Sequence, residues 1–171
     1  MKQLFLAAAL FTTVFSQNAL AQPSAPASAQ PGTLFPVLTA YYNVKDALVM
    51  GDSKAAAMAA GQLLQTVNGV NKSALPQKDQ QAFTALQDKL AFDSRHISES
   101  TDINHQREHF TSLSANLFSL AKKAHLSQQP IYEDYCPMKK AYWLSSDQAI
   151  KNPYLGNSML TCGKVSATLQ P

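Results

Sequence analysis

The chain has 171 residues and a formal charge of +3, which after export processing leaves room for one core but not comfortably for two. Its basic residues are scattered and no aromatic-and-arginine strip runs among them, which excludes a nucleic-acid footprint. Every apolar stretch after the N-terminal segment is broken by charges or amides, so no membrane span is expected in the processed chain.

The N-terminus reads as a signal peptide over residues 1–21. Lys2 gives a short positive region, Leu4 to Val14 an apolar one, and Ala19-Leu20-Ala21 a small-x-small cleavage site. Cleavage after Ala21 sends the protein out of the cytoplasm, to the periplasm in a bacterial-type cell. Lys2 is the only charge in that segment, so 13 basic and 11 acidic side chains remain, a balance of +2. Residues 22–33, rich in Pro, Ala and Ser, read as a flexible tether with nothing large to bury.

From Leu34 the spacing turns helical, opening a single domain over residues 34–171. Leu34, Val37, Tyr41, Val44 and Leu48 share one stripe, and Met50-Gly51-Asp52-Ser53 breaks the helix and supplies caps. A second, alanine-rich helix runs from Ser53 to Val67 with Ala56, Ala60, Leu63 and Val67 in register. A third is expected over Gln77 to Ser98, with Phe83, Leu86, Leu90 and Ile97 on one face and Pro76 suited to its first turn. Asp102 reads as the N-cap of a fourth, whose Ile103, Phe110, Leu113, Leu117, Leu120 and Ala124 extend to about His125. Four amphipathic helices with short links predict a mainly α fold, an up-down-up-down four-helix bundle.

Residues 131–171 differ in texture. They hold both cysteines, the only tryptophan (Trp143) and four of the six tyrosines. Asn152-Pro153 and Gly156 are turn signals. Ala141 to Leu144 and Val165 to Leu169 could form short strands, so the expectation is a short irregular lobe with room for a small hairpin, stapled to the bundle.

The sulfur chemistry of that lobe has two readings. A Cys136–Cys162 disulfide would close a loop of about 26 residues and stabilise by something near 3 kcal/mol on the chain-entropy model, and oxidising compartments favour it. Alternatively, Cys136-Pro137-Met138 and Met159-Leu160-Thr161-Cys162 set two thiols and two thioethers in mirrored order. Such soft donors select Cu(I) or Ag(I), although methionine is more often core filler than ligand.

The segments YCPM, AYWLS, NPY-x-G and ML-x-CG, with Tyr41 to Leu48 and the DINHQREHFTSL stretch at Asp102 to Leu113, resemble a family of periplasmic domains of unknown function. That family occurs alone in exported proteins and at the C-terminus of copper/silver efflux adaptors, the membrane fusion proteins. The resemblance implies a helical domain connected with heavy-metal handling, copper above all, with Cys136, Met138, Met159 and Cys162 as the matching ligand positions.

His105 to His109 reads H-x-x-E-H, the pattern of inverted zinc peptidases, and puts two imidazoles on one helix face. A peptidase needs a third ligand and a substrate cleft, which a bundle of about 150 residues hardly provides. The plain reading leaves both histidines partly exposed beside the apolar stripe. An intermediate one turns His96, His105 or His109 toward the C-terminal lobe as extra nitrogen ligands for the sulfur site. There is no Gly-rich phosphate loop, no G-x-S-x-G elbow and no cysteine–histidine motif, so an enzyme is not expected. The reading that results is a periplasmic copper(I)- or silver(I)-binding or efflux-accessory protein, partnered by the metal and by an efflux adaptor or another envelope protein. The alternative is a disulfide-stabilised envelope interaction module without metal.

Overall fold

The structure, a computed structural model, describes residues 33–171. The expected export segment and all of the tether but Thr33 lie outside the described residues. Five helices come first: α1 (Phe35–Met50), α2 (Ser53–Asn68), α3 (Gln77–Thr84), α4 (Gln87–Ser98) and α5 (Ile103–Ala121). Three strands follow: β1 (Ile131–Cys136), β2 (Ala141–Ser145) and β3 (Lys164–Leu169). The protein is thus mainly helical with a small antiparallel sheet at its C-terminal end. Among the described residues no helix is long and apolar enough to cross a membrane.

Local chemistry sets the helix ends. Gly51 takes the left-handed conformation at φ 74° that ends α1, and its N–H bonds back into the last turn. The next residue, Asp52, accepts from the N–H groups of Lys54 and Ala55 at 3.0 and 2.9 Å and so starts α2. Asp102 does the same for α5 through the Asn104 N–H at 2.8 Å. The apolar stripes are buried as their spacing requires: Val37, Tyr41, Val44 and Leu48 from α1, Ala56, Ala60, Leu63 and Val67 from α2, Phe110, Leu113, Leu117 and Leu120 from α5. Alanines on α2 let both α1 and α4 pack against it, and α4 in turn packs on α5.

The expected third helix is two. Leu86, at φ −119°, steps out of helical geometry between α3 and α4 while its side chain stays in the core. Beside it the Gln87 amide donates to the Val67 carbonyl at 3.1 Å and accepts from Lys72 Nζ at 3.0 Å. Those bonds fasten the start of α4 to the end of α2, where an unbroken helix would have to run straight on.

The C-terminal lobe is more regular than its composition suggests. Its strands order β2-β1-β3, with β1 central and antiparallel to both neighbours. β2 and β3 lie within a residue or so of the expected strands, whereas β1 carries no clean alternation. A register shift between Glu133 and Asp134 is the reason, since it turns Ile131, Asp134 and Cys136 inward together.

The lobe is tied to the helices by a few long-range bonds. Tyr41, fully buried and stacked 5.0 Å from Phe110, shares a hydrogen bond with Ser114 at 2.7 Å and accepts from the Leu144 N–H of β2 at 3.0 Å. Arg107 of α5 donates to the carbonyls of Pro153 at 2.8 Å and Leu48 at 3.3 Å. Gln106, its neighbour, ties the helices to one another instead: it is buried and donates to the carbonyls of Ser53 and Ser100 at 2.8 and 2.7 Å. Tyr41→Phe keeps the ring stack but strands the Leu144 N–H, so urea denaturation should show a loss of about 1–3 kcal/mol. An unchanged midpoint would remove this hydroxyl from the joint.

Candidate metal centre

The two thiols meet where the β1–β2 hairpin loop approaches the turn before β3. Cys136 ends β1 and is buried, Cys162 is half-buried, and their sulfurs stand 4.0 Å apart. A disulfide requires about 2.05 Å, so the expected staple between Cys136 and Cys162 is corrected to a pair of free thiols. A metal 2.3 Å from both sulfurs would see them at roughly 120°, an angle that leaves space for a third donor rather than the 180° of a two-coordinate ion.

Each thiol is placed by its own turn. The Lys139 N–H donates to Cys136 Sγ at 3.4 Å across the hairpin loop, and the Cys162 N–H donates to the Met159 carbonyl at 3.1 Å. Asn152, fully buried, pins the second turn: its amide donates to the Cys162 carbonyl at 2.5 Å and its Oδ1 accepts from the N–H groups of Tyr154 and Leu155. Burial pushes the Cys136 thiol up, but the bonds it receives, from Lys139 and Asn152 first and then from Cys162 and Met138, bring it below the usual thiol range. Burial and then the neighbouring Cys136 hold Cys162 above that range. One thiolate therefore forms ahead of the other, as in any two thiols close enough to couple.

Two glycines let this region close. A Cβ on Gly163 would lie 2.8 Å from Trp143 Cη2 and 3.1 Å from the Tyr135 carbonyl. Gly156 adopts φ 55°, and a Cβ there would come within 3.1 Å of the Val49 carbonyl. Gly163→Ala should therefore push the Trp143 ring off the Cys162 turn at a cost of about 1–3 kcal/mol, read by thermal unfolding together with a shift of Trp143 emission; a variant with wild-type values on both counts would show that the contact has slack.

Met138 and Met159 are not core filler. Met138 is 61% exposed and Met159 43%. Met50 and Met58 are exposed too, on the helices, but Met138 and Met159 flank the thiols, two residues after Cys136 and three before Cys162. Trp143 is buried, and its ring edge packs against Gly163, next to Cys162.

The histidines gather elsewhere. His96 from α4 and His105 and His109 from α5 bring one nitrogen each to within 4.8 Å of one another. Arg107 marks the side of α5 that faces the C-terminal lobe, and at 100° per residue His105 and His109 stand about 200° round from it. The three imidazoles therefore lie on the α4–α5 seam rather than among the sulfurs. Glu108 is exposed.

Asn152, which the sequence marks only as a turn signal, belongs to the site, and two buried acids carry no sequence signal at all. Asp93 is bonded to His109, its Oδ1 at 3.1 Å from Nδ1. Asp134 faces Trp143 across the β1–β2 pair, with neither carboxylate oxygen hydrogen-bonded. Burial first, then Asp147 and Glu133, raise its carboxyl to about 7, against the opposing pull of Lys45.

Fold and site together define a small helical domain with an appended three-stranded sheet, in which the end of β1 and the turn before β3 bring two free thiols to 4.0 Å of each other. The chain belongs to the family described as "Protein of unknown function (DUF3347)", whose model matches residues 37–129. That match runs from α1 to the link after α5 and stops before the lobe with the thiols. No curated protein and no solved structure matches the chain.

Proposed function

We propose that this is an exported, periplasmic protein that binds copper(I) or silver(I) at Cys136 and Cys162, with Met138 and Met159 as thioether donors. In this reading it buffers or carries the ion and works as an accessory to efflux, exchanging metal with an efflux adaptor. It has no catalytic step. The single observation that carries the reading is the 4.0 Å approach of two unbridged sulfurs, one held toward thiolate, at the edge of the lobe. Soft donors in that arrangement favour a soft monovalent ion over hard cations. The export segment at residues 1–21 and the resemblance of YCPM and ML-x-CG to domains of copper and silver efflux adaptors support location and partner. The short links between successive packed helices support the up-down-up-down bundle as the scaffold.

A second reading has its own observation. Met138, Tyr142, Met159, Leu160 and Val165 are all large apolar side chains left exposed in the lobe, as a docking surface for an envelope partner would be. Thiol titration of the protein taken from the periplasm, before and after anaerobic Cu(I), separates the two. Two reactive thiols that disappear on adding Cu(I) are the expected result. Thiols that stay reactive at saturating Cu(I) would leave the docking module as the reading.

A further inference from the structure

We propose that His96, His105 and His109 form a second metal site, separate from the thiols, that takes a divalent cation of imidazole preference, Cu(II) before Zn(II). It stands whatever the thiols bind.

The site is made by packing of α4 on α5. His105 and His109 are one turn apart on α5, and His96 reaches them from the last turn of α4. The His96 and His109 rings stack at 4.4 Å with 17° between their planes, and His105 meets His109 edge-on at 4.7 Å. All three are half-buried, so an ion can reach them from solvent. Phe92, exposed and 4.3 Å from His96, walls one side.

The second observation is behind the ligands. Asp93, nearly fully buried, accepts at 3.1 Å from the His109 Nδ1 side and is approached on its other oxygen by the Asn116 amide at 3.5 Å. A carboxylate on Nδ1 fixes the tautomer that leaves Nε2 free to bind metal, the usual support of a metal-bound histidine. Ligand nitrogens 2.0–2.1 Å from a tetrahedral ion lie about 3.4 Å apart, so the rings need to draw in by roughly 1.4 Å from their present spread, a movement that side-chain rotation supplies. Three imidazoles without a thiolate suit Zn(II) or Cu(II), with Cu(II) the tighter by the general order of divalent affinities. The fourth position stays open to water.

The test uses the mature, tag-free Cys136→Ser, Cys162→Ser form, which has no thiol to bind Zn(II) or to reduce Cu(II), titrated with Zn(II) and with Cu(II) against a chromophoric chelator. It should bind a single equivalent of either ion. In the serine form His96→Gln and His105→Gln should each weaken Zn(II) by about 100-fold or more, and Asp93→Asn by 10- to 100-fold, with circular dichroism unchanged. The imidazole proton signals of the wild-type protein should shift on adding Zn(II), a reading that needs no variant to fold. Zn(II) affinity that survives in folded His96→Gln and His105→Gln, or imidazole signals that ignore Zn(II), would overturn the site.

Discussion

Replacing Asp134 by asparagine should stabilise the protein at pH 8 and flatten its dependence on pH. Asp134 is fully buried in the sheet with both oxygens unpartnered, and its carboxyl titrates near 7 in the fold instead of near 3.8. Below about pH 4 the group is neutral in folded and unfolded chains alike, and the fold keeps the full benefit. Between pH 4 and 7 the unfolded chain gives up its proton while the fold retains it, so stability falls as pH rises and levels off above 7. A shift of this size sets a ceiling of about 4 kcal/mol, and screening by solvent brings the expected loss nearer 2 kcal/mol. Asparagine keeps the shape of the neutral acid without the charge. Urea denaturation at pH 5 and pH 8 should therefore show a marked drop for the wild type and a much smaller one for the variant. Equal drops in both would place the pH sensitivity on another group.

The helix boundaries were readable because they depend on neighbours in sequence. Gly51 and Asp52 end one helix and start the next by bonds that span no more than five residues, and the stripes of α1, α2 and α5 need only their 3.6-residue period. The break at Leu86 was not readable, since it is fixed by Gln87 reaching Val67, twenty residues earlier. β1 was hidden for a related reason: the shift at Glu133 and Asp134 spoils the two-residue alternation by which a strand shows itself. At the site, the mirrored order of cysteines and methionines gave the candidates. It could not give the state of the sulfurs, which turns on a 4.0 Å approach between a hairpin loop and a turn held by Asn152. The pairing of His105 with His109 was visible as an i, i+4 spacing. That His96 joins them, away from the thiols, follows only from how α4 lies on α5.

The second large effect is expected on copper affinity. If Cys136 and Cys162 close on one Cu(I), losing either thiolate removes half of the sulfur pair and leaves a single thiolate with thioether support. Cu(I) affinity should then fall by orders of magnitude, and the quenching of emission that Cu(I) should cause in the wild type at Trp143, whose ring edge lies against Gly163 beside Cys162, should disappear with it. The cysteine variants alone do not separate thiolate loss from local collapse of the Cys162 turn. The methionines do, because Met138 and Met159 are exposed and leucine keeps their bulk while removing the sulfur, at a stability cost below about 1.5 kcal/mol.

The most direct measurement is therefore the anaerobic Cu(I) affinity of the mature protein, set beside that of the Met138→Leu, Met159→Leu double variant and of Cys136→Ser. A sulfur site gives a stepwise loss, tenfold or more for the double methionine variant and far more for the cysteine variant, with the helical circular dichroism retained. Wild-type Cu(I) affinity in the double methionine variant would contradict the site as assigned, and wild-type affinity in Cys136→Ser would end the soft-metal reading altogether.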